Sequence, residues 1–249
     1  MIDFAAIIQA RIGSTRLPGK VMLEVNNQPL IYHLIKRLQF VKNLDSIIVA
    51  TTTNKRDDII CDFLKKKKIK FFRGSENNVV DRFLKASKKY DIKNIVHITG
   101  DCPLIDPHIV SQVISTYKSN NFDYVSNSNI RTYPDGMDVA VFSKKNLQKL
   151  SKLTKNKYDL EHLTLFFRRQ KKIFSLCNIM APTNLHYPML GLTLDERKDY
   201  DLIKIIFKKF YKLKDPFTCL DIINFLKKNS HLLKINRKVK RNSLPLLLK

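Results

Sequence analysis

A polar loop near the amino terminus combines side chains that could bind a phosphate group. It directly follows a short apolar run, residues 4–8, which predicts a buried first strand. Its polar residues are Arg11, Ser14, Thr15, Arg16 and Lys20, and its glycines are Gly13 and Gly19. Arginine and lysine donate charge-assisted hydrogen bonds to phosphate oxygens, and glycine lets backbone amides approach them closely. Composition alone leaves two interpretations of the loop open, a phosphate cradle and a solvated basic loop.

This loop differs from the two common phosphate-binding motifs. Five residues separate Gly13 from Gly19, which is one residue more than a Walker A loop has between its glycines. Val21 also stands where that motif has its metal-binding hydroxyl. The dinucleotide signature Gly-x-Gly-x-x-Gly is absent from the sequence. A phosphate site in this loop would therefore be of another type.

A second candidate is Asp101, in the segment Gly100-Asp101-Cys102-Pro103. Residues 94–99 before it predict a buried strand, so Asp101 is expected at the carboxyl end of that strand. Mg2+ is typically held by one or two carboxylates together with substrate phosphates and water. Asp101 is thus either a metal ligand at the mouth of a sheet or a cap of the turn that follows. Cys102 is expected to lie beneath the loop and not to act as a nucleophile.

The elements that would position these residues alternate between strand and helix. Predicted strands cover residues 4–8, 46–52, 69–72, 94–99, 124–126, 139–142 and 174–180. Predicted helices cover residues 29–41, 55–68, 78–90, 107–117, 159–169, 199–211 and 219–228. Such alternation with brief links predicts an α/β fold with a mostly parallel, doubly wound sheet. In such a sheet, ligands bind beyond the carboxyl ends of the strands, where both candidate segments lie.

The chain is long enough for one large α/β domain or two small ones, so its length does not decide the number of domains. A chain of 249 residues, 44% of them apolar, can bury a large core. No internal repeat or Gly/Ser linker is visible, so we assign residues 1–232 to one α/β domain and residues 233–249 to a basic tail. No apolar run reaches the roughly 18 residues of a membrane span. The scattered cysteines and the lack of a basic leader favour a cytoplasmic location.

The formal net charge of +24 could indicate a polyanionic partner. The lysines are spread over the whole chain, however, and the densest run, residues 65–68, is expected at the solvated end of a helix. No nucleic-acid-reading motif accompanies the charge. The sequence therefore predicts no specific nucleic-acid partner.

The order of residues in the first loop resembles a known family. Gln9-Ala10-Arg11 followed by residues 14–20, Ser-Thr-Arg-Leu-Pro-Gly-Lys, is similar to the amino-terminal signature of the sugar-acid cytidylyltransferases. These are the acylneuraminate and 3-deoxy-manno-octulosonate cytidylyltransferase-like proteins, and the spore-coat polysaccharide biosynthesis branch is the most similar. The resemblance implies a single-domain nucleotide-diphospho-sugar transferase (GT-A-like) fold and a Mg2+ cofactor. Family members are often dimers, which makes a homodimer one option.

Further blocks extend the resemblance to about residue 206. They are Arg73-Gly74-Ser75 with residues 79–83, then residues 98–107, residues 133–139, Glu161-His162 with Thr164, and residues 193–195 with Asp199. The resemblance implies Asp101 and Asp195 as Mg2+ ligands and Arg11 and Lys20 as a phosphate clamp. The implied catalytic residues are Arg11, Lys20 and Asp101. The implied nucleotide-binding residues are Gln9, Ala10, Arg11, Gly13, Ser14, Thr15, Arg16, Lys20, Gly74, Ser75, Arg82 and Gly100, and the implied acceptor-binding residues are Asp138 and His162.

Three of these roles have alternatives. Both carboxylates of the implied metal pair are expected after strands, but Asp195 could instead cap the next helix, in competition with Asp199. Arg82 could contact the nucleotide or form a salt bridge with Asp81 or Glu76. His162 could contact the acceptor or be structural.

The chain also departs from the family pattern in its second half. Ala140 replaces a typical glutamate after Asp138-Val139, Gly191-Leu192 replaces a typical Arg-Trp pair, and Arg197 stands where proline is common. These positions belong to the half expected to receive the acceptor, so nucleotide binding is better supported than the acceptor's identity.

The resemblance implies transfer of CMP from CTP to a sugar acid or related acid, with release of pyrophosphate, in surface polysaccharide or glycoconjugate synthesis. The main alternative is a glycosyltransferase of the same fold that uses a nucleotide sugar as donor. A non-catalytic binder of nucleic acid or another polyanion is the alternative from a different class.

Overall fold

The first strand, β1 (Ile2–Gln9), is apolar along its middle because both of its faces are covered. Alternate side chains of a strand lie on opposite faces. Phe4, Ala6 and Ile8 accordingly lie in one hydrophobic core, whereas Ala5 and Ile7 lie in a second core on the other face. A strand buried on both faces gives a continuous apolar run, as predicted for residues 4–8.

The computed structural model describes residues 1–211 and 216–241. The other strands are β2 (Glu24–Val25), β3 (Gln28–Pro29), β4 (Ser46–Thr52), β5 (Lys70–Gly74), β6 (Ile92–Thr99), β7 (Tyr124–Ser126), β8 (Ala140–Ser143) and β9 (Leu176–Asn178). The α-helices are α1 (Leu30–Leu38), α2 (Asp58–Lys66), α3 (Val79–Lys89), α4 (Pro107–Lys118), α5 (Lys144–Leu153), α6 (Lys157–Glu161), α7 (Leu163–Arg169), α8 (Arg197–Phe210) and α9 (Cys219–Lys228).

Seven of the strands form one sheet in the order β5-β4-β1-β6-β8-β7-β9. β1 pairs in parallel with β4 and β6, and β4 pairs in parallel with β5. β8 is antiparallel to both of its neighbours, β6 and β7. The mostly parallel, doubly wound α/β sheet predicted from the sequence is therefore confirmed. Since β1, β4, β5 and β6 run in the same direction, the loops that follow them open at one edge of the sheet.

A third hydrophobic core attaches the carboxyl-terminal helices to this edge. Leu202, Ile206 and Phe207 of α8 are buried in it together with Leu192 and Leu194 from the preceding loop. Residues of α9 complete it. The core fixes the loop before α8, and with it Asp195, relative to the sheet.

Two predicted elements differ from those observed. The helix predicted over residues 159–169 is two helices, α6 and α7, because His162 between them has a non-helical backbone (φ −108°, ψ 62°). The strand predicted over residues 174–180 is reduced to β9. Phe174 lies in a turn, with its ring 4.8 Å from that of Phe167, and contributes to the core from there.

A helix and a short two-stranded hairpin were not predicted. The lysine-rich helix α5 begins after Ser143, whose hydroxyl accepts a hydrogen bond from the amide of Asn146 at 3.0 Å. The short antiparallel pair β2–β3 turns through Asn26 and Asn27, both with positive φ (51° and 59°). Asparagine adopts this backbone conformation more readily than most residues.

The division at residue 232 stays a prediction. Within residues 233–241, Asn236 and Val239 are buried, and residues 242–249 of the predicted tail lie outside the described part of the chain. Across residues 1–211 and 216–241, no helix combines the length and the apolar character needed to cross a membrane.

Candidate active site

Lys20 joins two carboxylates that are remote in sequence. Its ammonium nitrogen Nζ lies 2.8 Å from Asp101 Oδ2, 3.2 Å from Asp195 Oδ1 and 2.7 Å from the carbonyl oxygen of Leu194. The two predicted metal ligands therefore lie together, beside the lysine predicted to hold phosphate. All of them are at the edge of the sheet where the loops after β1 and β6 open.

Close contact between β1 and β6 positions Asp101. The amide of Gly100 donates to the carbonyl of Gln9 at 2.8 Å. A Cβ atom at residue 100 would lie 2.9 Å from that oxygen, so the approach requires glycine. The amide of Leu194 donates to the carbonyl of Asp101 at 2.8 Å, which attaches the second loop to the first.

Asp195 reaches the site by a different route from the one predicted. It follows a loop and not a strand, because the nearby pairing of Gly191 with Asp135 is an isolated bridge. The capping alternative also fails, since the capping box of α8 consists of Glu196 and Asp199. The Asp195 carboxylate instead contacts Lys20 and, at 2.8 Å, Arg16.

The charges of this cluster stabilise one another. Burial lowers the pKa of Lys20, but the charges of Asp101 and Asp195 and their hydrogen bonds raise it more, so the pKa ends above its ordinary value. Burial raises the pKa of Asp101, but the charge and hydrogen bond of Lys20 lower it by more than burial raises it. The pKa of Asp101 therefore ends below its ordinary value. Both groups are charged near neutral pH.

The loop after β1 is anchored from below by a fully buried carboxylate. Asp57 accepts hydrogen bonds from the amides of Ile12 and Thr52, at 2.8 and 3.2 Å, and from the Thr51 hydroxyl at 3.1 Å. Gly19 has φ 71° and donates to the carbonyl of Ile12 at 2.9 Å. The loop is thus held at both ends, as a preorganised binding loop requires.

Several cations of the site carry a carboxylate partner in this structure. Arg11 lies 3.2 Å from Glu161 and 3.8 Å from Glu76. The partner from α6 was not predicted, since nothing in the sequence indicated that α6 would approach the first loop. A bound triphosphate would compete with these carboxylates for Arg11.

Arg82 forms neither of the salt bridges considered from the sequence. Asp81 pairs with Lys85 at 2.9 Å, and Glu76 pairs with Arg11 and Arg56. Arg82 is fully buried and donates to the carbonyl of Ser75 at 2.6 Å, so it fixes the turn after β5. Burial lowers the pKa of Arg82 to about 10. The nucleotide contacts of Gly74, Ser75 and Arg82 stay predictions.

Cys102 is buried next to the Thr99 hydroxyl, with 3.2 Å between sulfur and oxygen. Burial and the charge of Asp101 raise the pKa of its thiol well above the ordinary value. A buried thiol of this kind is a poor nucleophile. The structure agrees with the prediction that Cys102 lies beneath the loop.

The second half of the site is also built from paired charges. Arg131 contacts both oxygens of Asp138, at 3.1 and 3.0 Å, and Asp135 at 3.0 Å. Asp138 is thus already held by an arginine. His162 is exposed at the junction of α6 and α7 and lies against Tyr158, with 4.6 Å between the rings. Arg131 and Asp135 were not among the predicted site residues, although Asp135 lies in the block around Gly136.

Two of the departures from the family pattern have a structural context. Ala140 pairs with His97 of β6 and with Ser126 of β7, so these three residues are neighbours across the sheet. Gly191 lies against Arg241, and a Cβ atom at residue 191 would be 1.8 Å from its Nη2 atom. No sequence signal indicated a contact between these two positions.

We expect an Asp135→Asn variant to be more stable than wild type in alkaline solution. Burial and the charge of Asp138 raise the pKa of Asp135 from 3.8 to about 6, despite the nearby Arg131. A carboxyl with a raised pKa stabilises the folded state fully below its ordinary pKa and loses that contribution as the pH rises through the raised value. The gain at pH 8 should be about 1–3 kcal/mol, and near pH 4 it should vanish. Urea unfolding across this pH range measures it, and a constant difference between variant and wild type would contradict it.

The comparisons with known proteins agree with this arrangement. A family model described as Cytidylyltransferase matches residues 5–232. The Bacillus subtilis protein named spore coat polysaccharide biosynthesis protein SpsF is 32% identical over 235 residues, which cover 92% of this chain and 96% of that protein. A solved cytidylyltransferase structure from Leptospira borgpetersenii has a TM-score of 0.87 and 32% identity, over 94% of this chain and 97% of that one.

A more distant structure shares the fold. It is described as CMP:2-keto-3-deoxy-manno-octonic acid synthetase complexed with CTP, and it has a TM-score of 0.63 and 16% identity. The match covers 83% of this chain and 99% of that one. At this level of identity, the similarity concerns the fold.

Proposed function

The chain belongs to the cytidylyltransferase family, and from this premise we propose that it transfers CMP from CTP to an acidic sugar with Mg2+ as cofactor. The observation that carries the proposal is the contact of Lys20 with both Asp101 and Asp195. The carboxylates of Asp101 and Asp195, next to Lys20 and the loop after β1, suit the binding of a metal–triphosphate complex. A Shewanella frigidimarina protein that is 27% identical over 190 residues, covering 75% of this chain and 73% of that protein, is named 8-amino-3,8-dideoxy-manno-octulosonate cytidylyltransferase, and this sugar acid supports an acidic acceptor.

The residues present fit Mg2+ by their chemistry. Asp101 and Asp195 supply two carboxylates, and the Leu194 carbonyl lies beside them, so all the donors are the hard oxygen ligands that Mg2+ prefers. Among the described residues no group of three or more His, Cys, Asp or Glu side chains could hold a metal ion. With two protein carboxylates, a Mg2+ ion would take its remaining ligands from substrate phosphates and water. When bound, the ion would neutralise charge on the triphosphate.

In the proposed reaction an acceptor oxygen forms a bond to the α-phosphorus of CTP. The bond between this phosphorus and the bridging oxygen to the β-phosphate breaks, pyrophosphate leaves, and the acceptor proton is released to solvent. Arg11, Arg16 and Lys20 bind the phosphates and stabilise the departing charge. The loops after β1 and β6 hold the reactants in line.

The proposal is tested by measuring pyrophosphate release for each of the four NTPs with a panel of sugar acids and Mg2+. Release that requires CTP and an acidic sugar is the expected result. A nucleotide-sugar glycosyltransferase would release no pyrophosphate. The absence of pyrophosphate release with every NTP and every sugar acid would therefore contradict the proposal. Salt-sensitive binding to RNA or DNA with no turnover would favour the polyanion-binding alternative. Light scattering of the same sample tests the homodimer, and the cytoplasmic location stays a proposal.

A further inference from the structure

Asp199 holds the backbone on which Asp195 lies. One oxygen of its carboxylate, Oδ2, accepts hydrogen bonds from the amides of Asp195 and Glu196, at 3.0 and 2.9 Å. The Asp199 side chain is fully buried. A carboxylate that accepts hydrogen bonds from two backbone amides fixes the conformation of their turn, and with it the direction of the Asp195 side chain.

The other oxygen of Asp199 is held by the carboxyl-terminal segment, residues 236–241. Asn236 Nδ2 and Arg241 Nη2 each lie 2.8 Å from Oδ1. The same Asn236 nitrogen donates to the carbonyl of Gly191 at 2.9 Å. Asn236 is 5% exposed and the Arg241 side chain 15% exposed, so these contacts are mostly shielded from water.

The absence of a side chain at Gly191 makes room for Arg241. A Cβ atom there would lie 1.8 Å from Nη2 and 1.9 Å from Cζ of the guanidinium. The contacting atoms are the far end of a flexible side chain, so a larger residue at 191 would displace the guanidinium and leave the backbone in place. Gly191 and Arg241 are therefore a matched pair.

A second contact joins the same segment to the metal-site carboxylate. Arg16 Nη1 donates to the carbonyl of Lys240 at 2.9 Å, while Arg16 Nη2 lies 2.8 Å from Asp195 Oδ1. The segment thus reaches Asp195 from two directions, through Asp199 and through Arg16.

We propose that Arg241 and Asn236 are positioning residues that hold Asp195, through Asp199, in the geometry needed to bind a divalent cation with CTP. This inference rests on the proposed function, because it assigns a supporting shell to the metal site proposed there. A carboxylate buried without its cationic partner is costly, so loss of Arg241 would leave Asp199 to reorient. The turn that carries Asp195 would then loosen.

The experiment measures Mn2+ binding by electron paramagnetic resonance, with and without CTP, for Arg241→Ala, Gly191→Ala and the double variant. Each single substitution should weaken CTP-dependent Mn2+ binding by about tenfold, as is typical when a residue that supports a metal ligand is lost. The double variant should be no worse than either single one, because both remove the same contact. Lys238→Ala, an exposed residue of the same segment, removes the same charge and should bind as wild type does.

Each outcome separates the two proposals. Wild type that binds no Mn2+ in the presence of CTP overturns the proposed function and this inference with it. Wild type that binds, together with folded single variants that bind equally well, overturns only the positioning role. Additive losses in the double variant also overturn it, because the two residues would then act independently. Steady-state kinetics add a second readout: the losses should appear in kcat and in the Mg2+ dependence, whereas a purely structural role would change only thermal stability.

Discussion

An Asp101→Asn substitution should lower CTP-dependent pyrophosphate release by about a thousandfold or more, the scale on which preorganised charge stabilises phosphoryl transfer. Asparagine keeps the shape of the side chain but removes the negative charge. The variant would thus lose one of the two carboxylates proposed for Mg2+, while the Leu194 amide still donates to the backbone carbonyl of residue 101. Turnover at saturating CTP, with an acceptor identified by the screen, measures the loss.

The fold of this variant should be close to that of wild type. Lys20 retains its contacts with Asp195 and with the Leu194 carbonyl. Asp62→Asn is the matched control, because it removes one exposed carboxylate that pairs with Lys65 on α2. The control should turn over as wild type does. Substantial turnover by a folded Asp101→Asn protein would remove this aspartate from the mechanism.

The position of Asp101 could be predicted from the sequence because it depends on neighbouring residues. Asp101 follows an apolar strand and Gly100, and this order places its carboxylate at the carboxyl end of a strand in a parallel sheet. Asp195 needed the family resemblance, since no strand precedes it. Its position depends on the third hydrophobic core and on the backbone contact between Leu194 and Asp101.

The contacts that complete the site could not be predicted because they are tertiary. Glu161 lies 3.2 Å from Arg11 and is the last residue of α6, directly before the break at His162 in the helix predicted over residues 159–169. Gly191 was noted as a loss relative to the family pattern, yet the guanidinium of Arg241 lies against it. Pairing between such distant residues leaves no period or spacing in a single sequence.

The distribution of charge at the site differs from that of the chain as a whole. The net charge is +24, yet Arg11, Arg16, Arg131 and Arg241 each contact a carboxylate. These pairs keep the arginines oriented. A triphosphate arriving with a divalent cation would compete with these carboxylates for Arg11 and Arg16, while Arg241 keeps its contact with Asp199.

Lys20→Ala should lower turnover by about a hundredfold to a thousandfold, because the departing pyrophosphate loses a cation that lies at the centre of the site. The same variant should bind Mn2+ more tightly than wild type when no nucleotide is present. The ammonium now lies between Asp101 and Asp195 and competes with a metal for their oxygens. Opposite changes in turnover and metal affinity are the distinguishing result.

The stability of the Lys20→Ala variant should depend on Mg2+ as well. Without Lys20, Asp101 and Asp195 repel each other across the site, which should cost about 2–4 kcal/mol of unfolding free energy in EDTA. Added Mg2+ should restore most of that loss, since it replaces the missing positive charge. In wild type, the raised pKa of Lys20 and the lowered pKa of Asp101 keep both groups charged near neutral pH. The contribution of Lys20 to stability is lost only as the pH rises through its raised pKa, and that of Asp101 only as the pH falls through its lowered pKa. Unfolding measurements at pH 7 therefore report the full difference in stability. Equal stability with EDTA and with Mg2+ would show that the two aspartates do not share a cation.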